Sequence, residues 1–226
     1  MSPDQGVYES IDLGPKPANR PVVSINMVAT LDGKIISGER DEHVNDLGSD
    51  VDYATLRQIE LAHDAVVIGA GNLRATPGLW YPKPLTRIVV TNSGKVDPTS
   101  RFFTDAPERA YVATTHPEAA PNELNIMPFA EGELKPKNLL TQLNELGCDK
   151  VLVEGGSNLN AQFFAADLVD NLFLTLAPKI KLGEDTPTIA GGQPVPRAEL
   201  LNFELKSHLV VDNELFLHYR RKRTTS

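Results

Sequence analysis

The chain has little cysteine: one in 226 residues, Cys148. A lone thiol cannot close an internal disulfide or build a cysteine zinc cluster. It suits a reducing compartment, so cytoplasmic residence is expected. Long apolar runs are missing too, and none approaches the roughly 20 residues a membrane span needs. Positive charge is in deficit, with 22 Lys and Arg against 30 Asp and Glu and a formal net charge of −8. That balance argues against a broad nucleic-acid face, which needs a basic surface. A local basic pocket for one phosphorylated small molecule is still allowed. The five histidines, His43, His63, His116, His208 and His218, fall at no metal-ligand spacing. No metal is therefore expected. His208 and His218 read as a surface pair across a hairpin. There is neither a Walker A loop nor a Gly-x-Ser-x-Gly elbow, which removes two common catalytic frames.

What is present is a globular composition, with 41% hydrophobic and 23% charged residues. The length suits one large domain with a sizeable core. Residues 1–20 have no apolar core and read as an extended arm rather than a secretion signal. Residues 21–220 read as a single domain. Residues 221–226 read as a basic tail, with Arg220 to Arg223 solvated. The loosest stretch, residues 114–138, is too short to divide the chain.

Short β-rich runs alternate with helical patterns. Strands are expected at 22–28, 64–69, 87–91, 110–113, 150–154 and 172–177. Helices are expected at 50–62, 138–146 and 157–166. The first has Ser49 or Asp50 as its cap and Val51, Leu56 and Ile59 as its inner face. Residues 203–211 and 214–219 alternate around Asp212-Asn213, two residues that tolerate the positive φ of a tight turn. Near-continuous apolar strands joined through helices imply a mostly parallel sheet covered on both faces. The fold class is α/β, in three layers, with a mixed sheet and a C-terminal antiparallel hairpin.

Three segments carry candidate chemistry. In Val151 to Leu159 a buried strand ends in Glu154-Gly155-Gly156, and a helix begins at Ser157. Glycines admit a phosphate to the backbone, and a helix N-terminus offers free N–H groups and a positive dipole end. An ordinary strand-to-helix turn would use the same glycines. Gly69-Ala70-Gly71-Asn72-Leu73-Arg74 starts like the dinucleotide fingerprint, but Arg74 stands at the third glycine position. No acid ends the next strand, where Thr91 and Asn92 stand. An ordinary NAD site is thus poorly supported, and Arg74 is either a 2′-phosphate ligand or a solvated side chain. Two glycine-ended strands in one sheet put the default ligand crevice at their carboxyl ends. Thr30-Leu31-Asp32-Gly33-Lys34 is either a plain Asp-Gly turn or a ligand-contacting loop. Trp80 and Tyr81, after Pro77-Gly78, line a pocket or pack in the core.

Taken in order, these motifs are familiar: residues 30–35, Leu56-Arg57, residues 64–72, Val151 to Leu159, Leu168 to Leu172 and Leu176-Ala177-Pro178. The series resembles the reductase domain of riboflavin biosynthesis, of the dihydrofolate reductase-like fold, over roughly residues 20 to 220. The resemblance implies reduction of a phosphoribosylaminopyrimidine to its ribitylamino form with NADPH, and a homodimer. It implies cofactor contacts from Val28, Thr30, Gly69, Gly71, Asn72, Arg74, Thr76, Thr91, Asn92, Gly155, Gly156, Ser157, Asn158 and Leu159. It implies substrate contacts from Arg57, Leu79, Lys83 and Glu154. Glu154, with Asp32 in support, is the candidate for proton handling; a structural role for Asp32 in the turn is the other reading. The zinc-deaminase ligands that precede this domain in bifunctional relatives are absent, so the chain reads as a stand-alone reductase. Ala75-Thr76-Pro77 stands where the family has an acidic residue before proline, and Arg40-Asp41-Glu42-His43 departs from the family's polar segment. Two rival readings follow: reduction of another substrate such as dihydrofolate, and a nucleotide-binding module without catalysis.

Overall fold

The computed structural model describes residues 6–39, 42, 46–76 and 78–223. Within them one sheet holds nine strands in the order β5-β4-β3-β2-β6-β1-β7-β9-β8. In chain order these are β1 Val22–Thr30, β2 Ala65–Gly69, β3 Thr86–Thr91, β4 Ala110–Thr114, β5 Asn125–Pro128, β6 Lys150–Val153, β7 Asn171–Ala177, β8 Phe203–Val211 and β9 Glu214–Arg221. The strands from β5 to β7 pair in parallel, and β9 and β8 add antiparallel strands at one edge. The helices are α1 Asp50–Leu61, α2 Ala70–Ala75, α3 Arg101–Thr104, α4 Pro136–Glu145 and α5 Ser157–Ala165. The expected α/β class with its terminal hairpin is therefore the observed one. Asp212 and Asn213 take φ of 47° and 72° in the hairpin turn, the paired positive values a tight turn requires.

Strand alternation sorts the core. Val23, Ile25, Val67 and Val153 point to one face, where Leu139, Leu140 and Leu143 of α4 and Leu159 and Phe163 of α5 cover them. Val66, Ile68 and Val89 point to the other, against Leu73 of α2 and Phe102 and Phe103 of α3. Farther along that second face Ile59 of α1 packs with Phe173 and Phe216. The segment before β1 joins it: Val7, Tyr8 and Leu13 are buried, and the Tyr8 ring meets Phe173 edge-on at 5.6 Å.

Four details differ from the sequence expectation. First, α2, α3 and β5 were not expected. They are four to six residues long, too short to display a period. Second, α1 buries Thr55, Ile59 and Glu60; Ile59 and the partly buried Val51 pack on the core as expected, but Leu56 turns toward a cleft. The helix is rotated to that extent, covering the sheet on one side and walling the cleft on the other. Third, the basic C-terminal run is ion-paired rather than free, although Lys222 and Arg223 stay exposed. Arg221 bonds Asp167 at 2.7 Å and Arg223 bonds Asp170 at 2.7 Å. Asp170 also takes Arg20 at 2.6 Å, so the acids after α5 gather the cations of both chain ends. Fourth, His208 and His218 are not a surface pair. His218 is buried, stacks on Phe173 and contacts Asn171 Oδ1 at 2.9 Å, while the exposed His208 sits opposite Leu217. Adjacent register positions face opposite sides of a strand. Of the residues named above, Arg40, Asp41, His43 and Pro77 lie outside the described residues.

Candidate functional site

The carboxyl ends of β2, β6 and β1 lie side by side in the sheet. Backbone bonds lock the first two together. Gly69 N–H donates to Gly155 O at 2.8 Å, and Glu154 N–H donates to Val67 O at 3.0 Å. Glycine is needed here at Gly155, whose φ of +78° is a value that L side chains rarely adopt; a Cβ on Gly69 would make only ordinary contact, 3.6 Å from the Gly155 carbonyl. Asn72 Nδ2 donates to Glu154 O at 2.9 Å, which pins the start of α2 to the end of β6.

Two chambers open from this junction. The larger, of about 680 Å³, runs from Met27, Val28 and Ile35 past Gly69 and Gly71 to Thr91 and Ser93. The start of α5 forms one of its walls through Gly156, Asn158 and Leu159. Gly156 caps α5 without a side-chain bond, and a Cβ on it would meet nothing within 4 Å. The first N–H groups of a helix have no partner inside the helix and attract anions. Arg74 lines the same chamber beside Thr91 and Asn92. The bare N-terminus of α5 and the Arg74 side chain are two groups in this cleft suited to anionic ligand groups.

The smaller chamber, of about 370 Å³, lies under α1 and the segment around Trp80. The Arg57 guanidinium sits between the Tyr53 and Trp80 rings, 4.8 and 4.7 Å from their centroids. Its Nη1 donates to Glu60 Oε2 at 2.6 Å and to the Trp80 carbonyl at 3.0 Å. Tyr81 Oη donates to Glu154 Oε2 at 2.8 Å. Burial pushes Asp52 up to about 6, against a hydrogen bond from Thr175 and helped by the nearby Glu214 carboxylate. Met27, Val28, Asn72, Thr76 and Glu154 line both chambers.

Most residues singled out in the sequence meet at this junction. Val28, Gly69, Gly71, Asn72, Arg74, Thr76, Thr91, Asn92, Gly156, Asn158 and Leu159 line the larger chamber. Arg57, Leu79 and Trp80 line the smaller one, and Glu154 lines both. Others stand apart. Gly155 and Ser157 belong to the turn but not to the lining; Ser157 O instead accepts from Gly191 N–H at 3.3 Å. Thr30 and Asp32 form a closed turn, since Thr30 Oγ1 donates to Asp32 Oδ1 and accepts from Lys34 N–H at 2.9 Å. Asp32 also accepts from the Leu182 N–H at 2.8 Å. The Thr30 hydroxyl, with these backbone bonds, holds the Asp32 carboxyl down at about 2. It is an ionised turn-former outside both chambers, which corrects its assignment to proton handling. Lys83 is exposed and lines neither chamber. It sits between two prolines in a turn closed by Leu85 N–H on Pro82 O, and that turn carries it to the surface.

Sequence reasoning missed Asp52, Tyr53 and above all Glu60. The signal for Glu60 was its helical spacing: three residues after Arg57 and four after Leu56, it shares their face of α1.

Comparison with known proteins agrees with this geometry. The model of the RibD C-terminal domain matches residues 21–217. The 2,5-diamino-6-ribosylamino-4(3H)-pyrimidinone 5′-phosphate reductase of Methanothermobacter thermautotrophicus is 28% identical, over 90% of this chain and 99% of that protein. The protein of the same name from Aquifex aeolicus is 26% identical, over 88% and 96%. Among solved structures, a pyrimidine reductase-like protein from Corynebacterium diphtheriae superposes with a TM-score of 0.77 at 19% identity, over 99% of this chain and all of that one. Acinetobacter baumannii RibD also gives 0.77, at 18% identity, and this chain spans 59% of its length. At these identities the two structures speak for the fold alone, and it is the dihydrofolate reductase-like one that the ordered motifs imply. With the family model covering nearly the whole sheet, from β1 into β9, the chain belongs to the RibD C-terminal domain family.

Proposed function

We propose that this chain reduces 2,5-diamino-6-ribosylamino-4(3H)-pyrimidinone 5′-phosphate to its ribitylamino form, with NADPH, as a step of riboflavin biosynthesis. The observation that carries this reading is the wall the two chambers share, formed by Met27, Val28, Asn72, Thr76 and Glu154. Molecules bound on its two sides meet at one point, the requirement for direct transfer between them. The names of the archaeal and Aquifex relatives supply the substrate.

When bound, the reduced nicotinamide supplies a hydride to C1′ of the opened sugar. This chain's residues provide binding and orientation. The N–H groups at the start of α5 take the charge of the cofactor phosphates. Arg74, beside Thr91 and Asn92, takes the 2′-phosphate and so selects NADPH over NADH. Tyr53, Trp80 and Arg57 frame the pyrimidine, and Asp52 accepts from its amino groups. Glu154 stands where the two ligands meet and handles a proton or orients the substrate. The lone thiol, Cys148, is free and buried, which suits the cytoplasm. A homodimer formed across the exposed edge of β8, where Leu205 and Val210 face outward, completes the reading. Light scattering on the purified protein tests it.

Titration with NADPH and with NADH, followed by addition of the pyrimidinone phosphate, tests the main claim. Tighter binding of NADPH, and loss of reduced-nicotinamide absorbance on adding substrate, are expected. Binding without oxidation would refute the assigned reaction. No binding would refute the cofactor chamber.

A further inference from the structure

Behind Glu154 lies a second carboxyl that the proposed reaction does not use. Glu60, on α1, is fully buried. Each of these glutamates has one oxygen with a partner and one without. Glu60 Oε2 accepts from Arg57, and Glu154 Oε2 accepts from Tyr81. Glu60 Oε1 and Glu154 Oε1 are shut off from solvent and have no donor. The two carboxyls are within hydrogen-bonding reach of each other. As two carboxylates they would set lone pairs against lone pairs in a site without water, an arrangement of high cost. One proton shared between the two carboxyls turns that repulsion into a hydrogen bond.

We infer that Glu60 is a positioning residue: it and Glu154 hold a single shared proton at neutral pH, which ties the Glu154 carboxyl to Glu60 and fixes it at the chamber junction with one charge on the pair instead of two. The reasoning rests on the proposed reaction only for what that fixed carboxyl serves, the orientation of the substrate.

The charges around the pair agree. Arg57 from α1, Tyr81 from the segment before β3 and Arg87 from β3 are the other titratable groups that face it. Arg87 gives its two Nη groups to the carbonyls of Phe102 and Tyr81, at 3.1 and 3.0 Å. Arg57 is then the one cation bonded to the pair, enough to balance one carboxylate but not two. Burial pushes both carboxyls above the usual carboxylate range, and the neighbouring Glu154 pushes Glu60 further up. The proton belongs to the pair and not to either residue. Paired acids held this way elsewhere retain a proton because like charges in contact cannot both ionise.

Infrared spectra of the free protein at neutral pH test this directly, through the C=O stretch of a protonated carboxyl. The expected result is one such band, present in D52N as well as in the native chain, which excludes Asp52 as its source. It is lost in E60Q. The glutamine keeps the Arg57 contact and offers its own N–H to Glu154 Oε1, so no shared proton is needed. In E60Q the alkaline limb of the pH profile of kcat/KM moves down by about one unit or more, a shift that a merely structural role would not produce. Absence of the band in the native protein overturns the inference, as does its survival in E60Q. If E60Q does not fold, the native spectrum with isotope-labelled glutamate decides alone. The band requires neither cofactor nor substrate, so failure of the proposed reaction and failure of the shared proton are seen separately.

Discussion

The two chambers share a wall and differ in material. The larger is lined by Gly69, Gly71, Gly156 and the opening of α5, with Arg74 as its lone described arginine. The smaller gathers charged and aromatic side chains, among them Arg57, Asp52, Glu154, Tyr53 and Trp80. A backbone site tolerates change wherever a side chain has room to leave. A site of mutually dependent charges does not, because removing one member leaves another buried without a partner. Robustness on one side and fragility on the other are what this comparison teaches.

The largest effect should come from the residue common to both sides. E154Q is expected to lower kcat/KM by on the order of 10²-fold or more, the usual scale of a proton-handling group. Steady-state assays measure the fall, and NADPH affinity should be unchanged. An equal loss of NADPH affinity would mean that the wall belongs to the cofactor chamber alone. Gly156→Asp comes next. It sets a negative charge against the cofactor phosphates and should weaken NADPH binding by roughly tenfold, about 1.4 kcal/mol. Its thermal unfolding should be unaltered, since a Cβ there meets nothing within 4 Å. A large drop in melting temperature would show that the turn is less tolerant than its open surroundings imply.

R74A sharpens the contrast inside the larger chamber. It should cut the preference for NADPH over NADH several-fold, the scale of one exposed ion pair, and leave NADH binding as it was. Calorimetry with both cofactors gives the ratio. The smallest effect on activity is expected for Asp32→Asn, because Asp32 lies outside both chambers. Its effect falls on stability and follows pH. The folded carboxyl is held at about 2, below its ordinary 3.8. Its contribution is therefore full above about 3.8 and is lost as pH falls toward 2. Native and D32N melting curves should differ at neutral pH and converge in that acid range. A gap independent of pH would mean the aspartate acts by shape alone.

The same division explains what could be read before the structure. The glycine turns at 69–71 and 155–156 were legible because glycines at the end of an apolar strand mark a turn, and a turn is local; Gly155, with its φ of +78°, is the one whose backbone requires glycine. Arg57 and Glu154 stood out only beside known relatives. Glu60 did not stand out, since an acidic residue on a helix is ordinarily solvated. Lys83, offered as the counterpart of the family's basic residue, is turned outward by the two prolines that flank it, and of the two readings of Asp32 the turn is the one the Thr30 hydroxyl agrees with.

By itself the sequence determined the alternation of apolar strands with helices, the parallel sheet that follows, the Asp212-Asn213 hairpin and the two glycine turns. Each rests on a period or on a local φ preference within about ten residues. Only the tertiary structure decided the rotation of α1, the meeting of Glu60 with Glu154, and the capture of Arg221 and Arg223 by Asp167 and Asp170. Glu60 and Glu154 are far apart in the chain, and their encounter depends on how α1 settles across the sheet. A buried charge is defined by what surrounds it, and those surroundings exist only once the chain has closed around it.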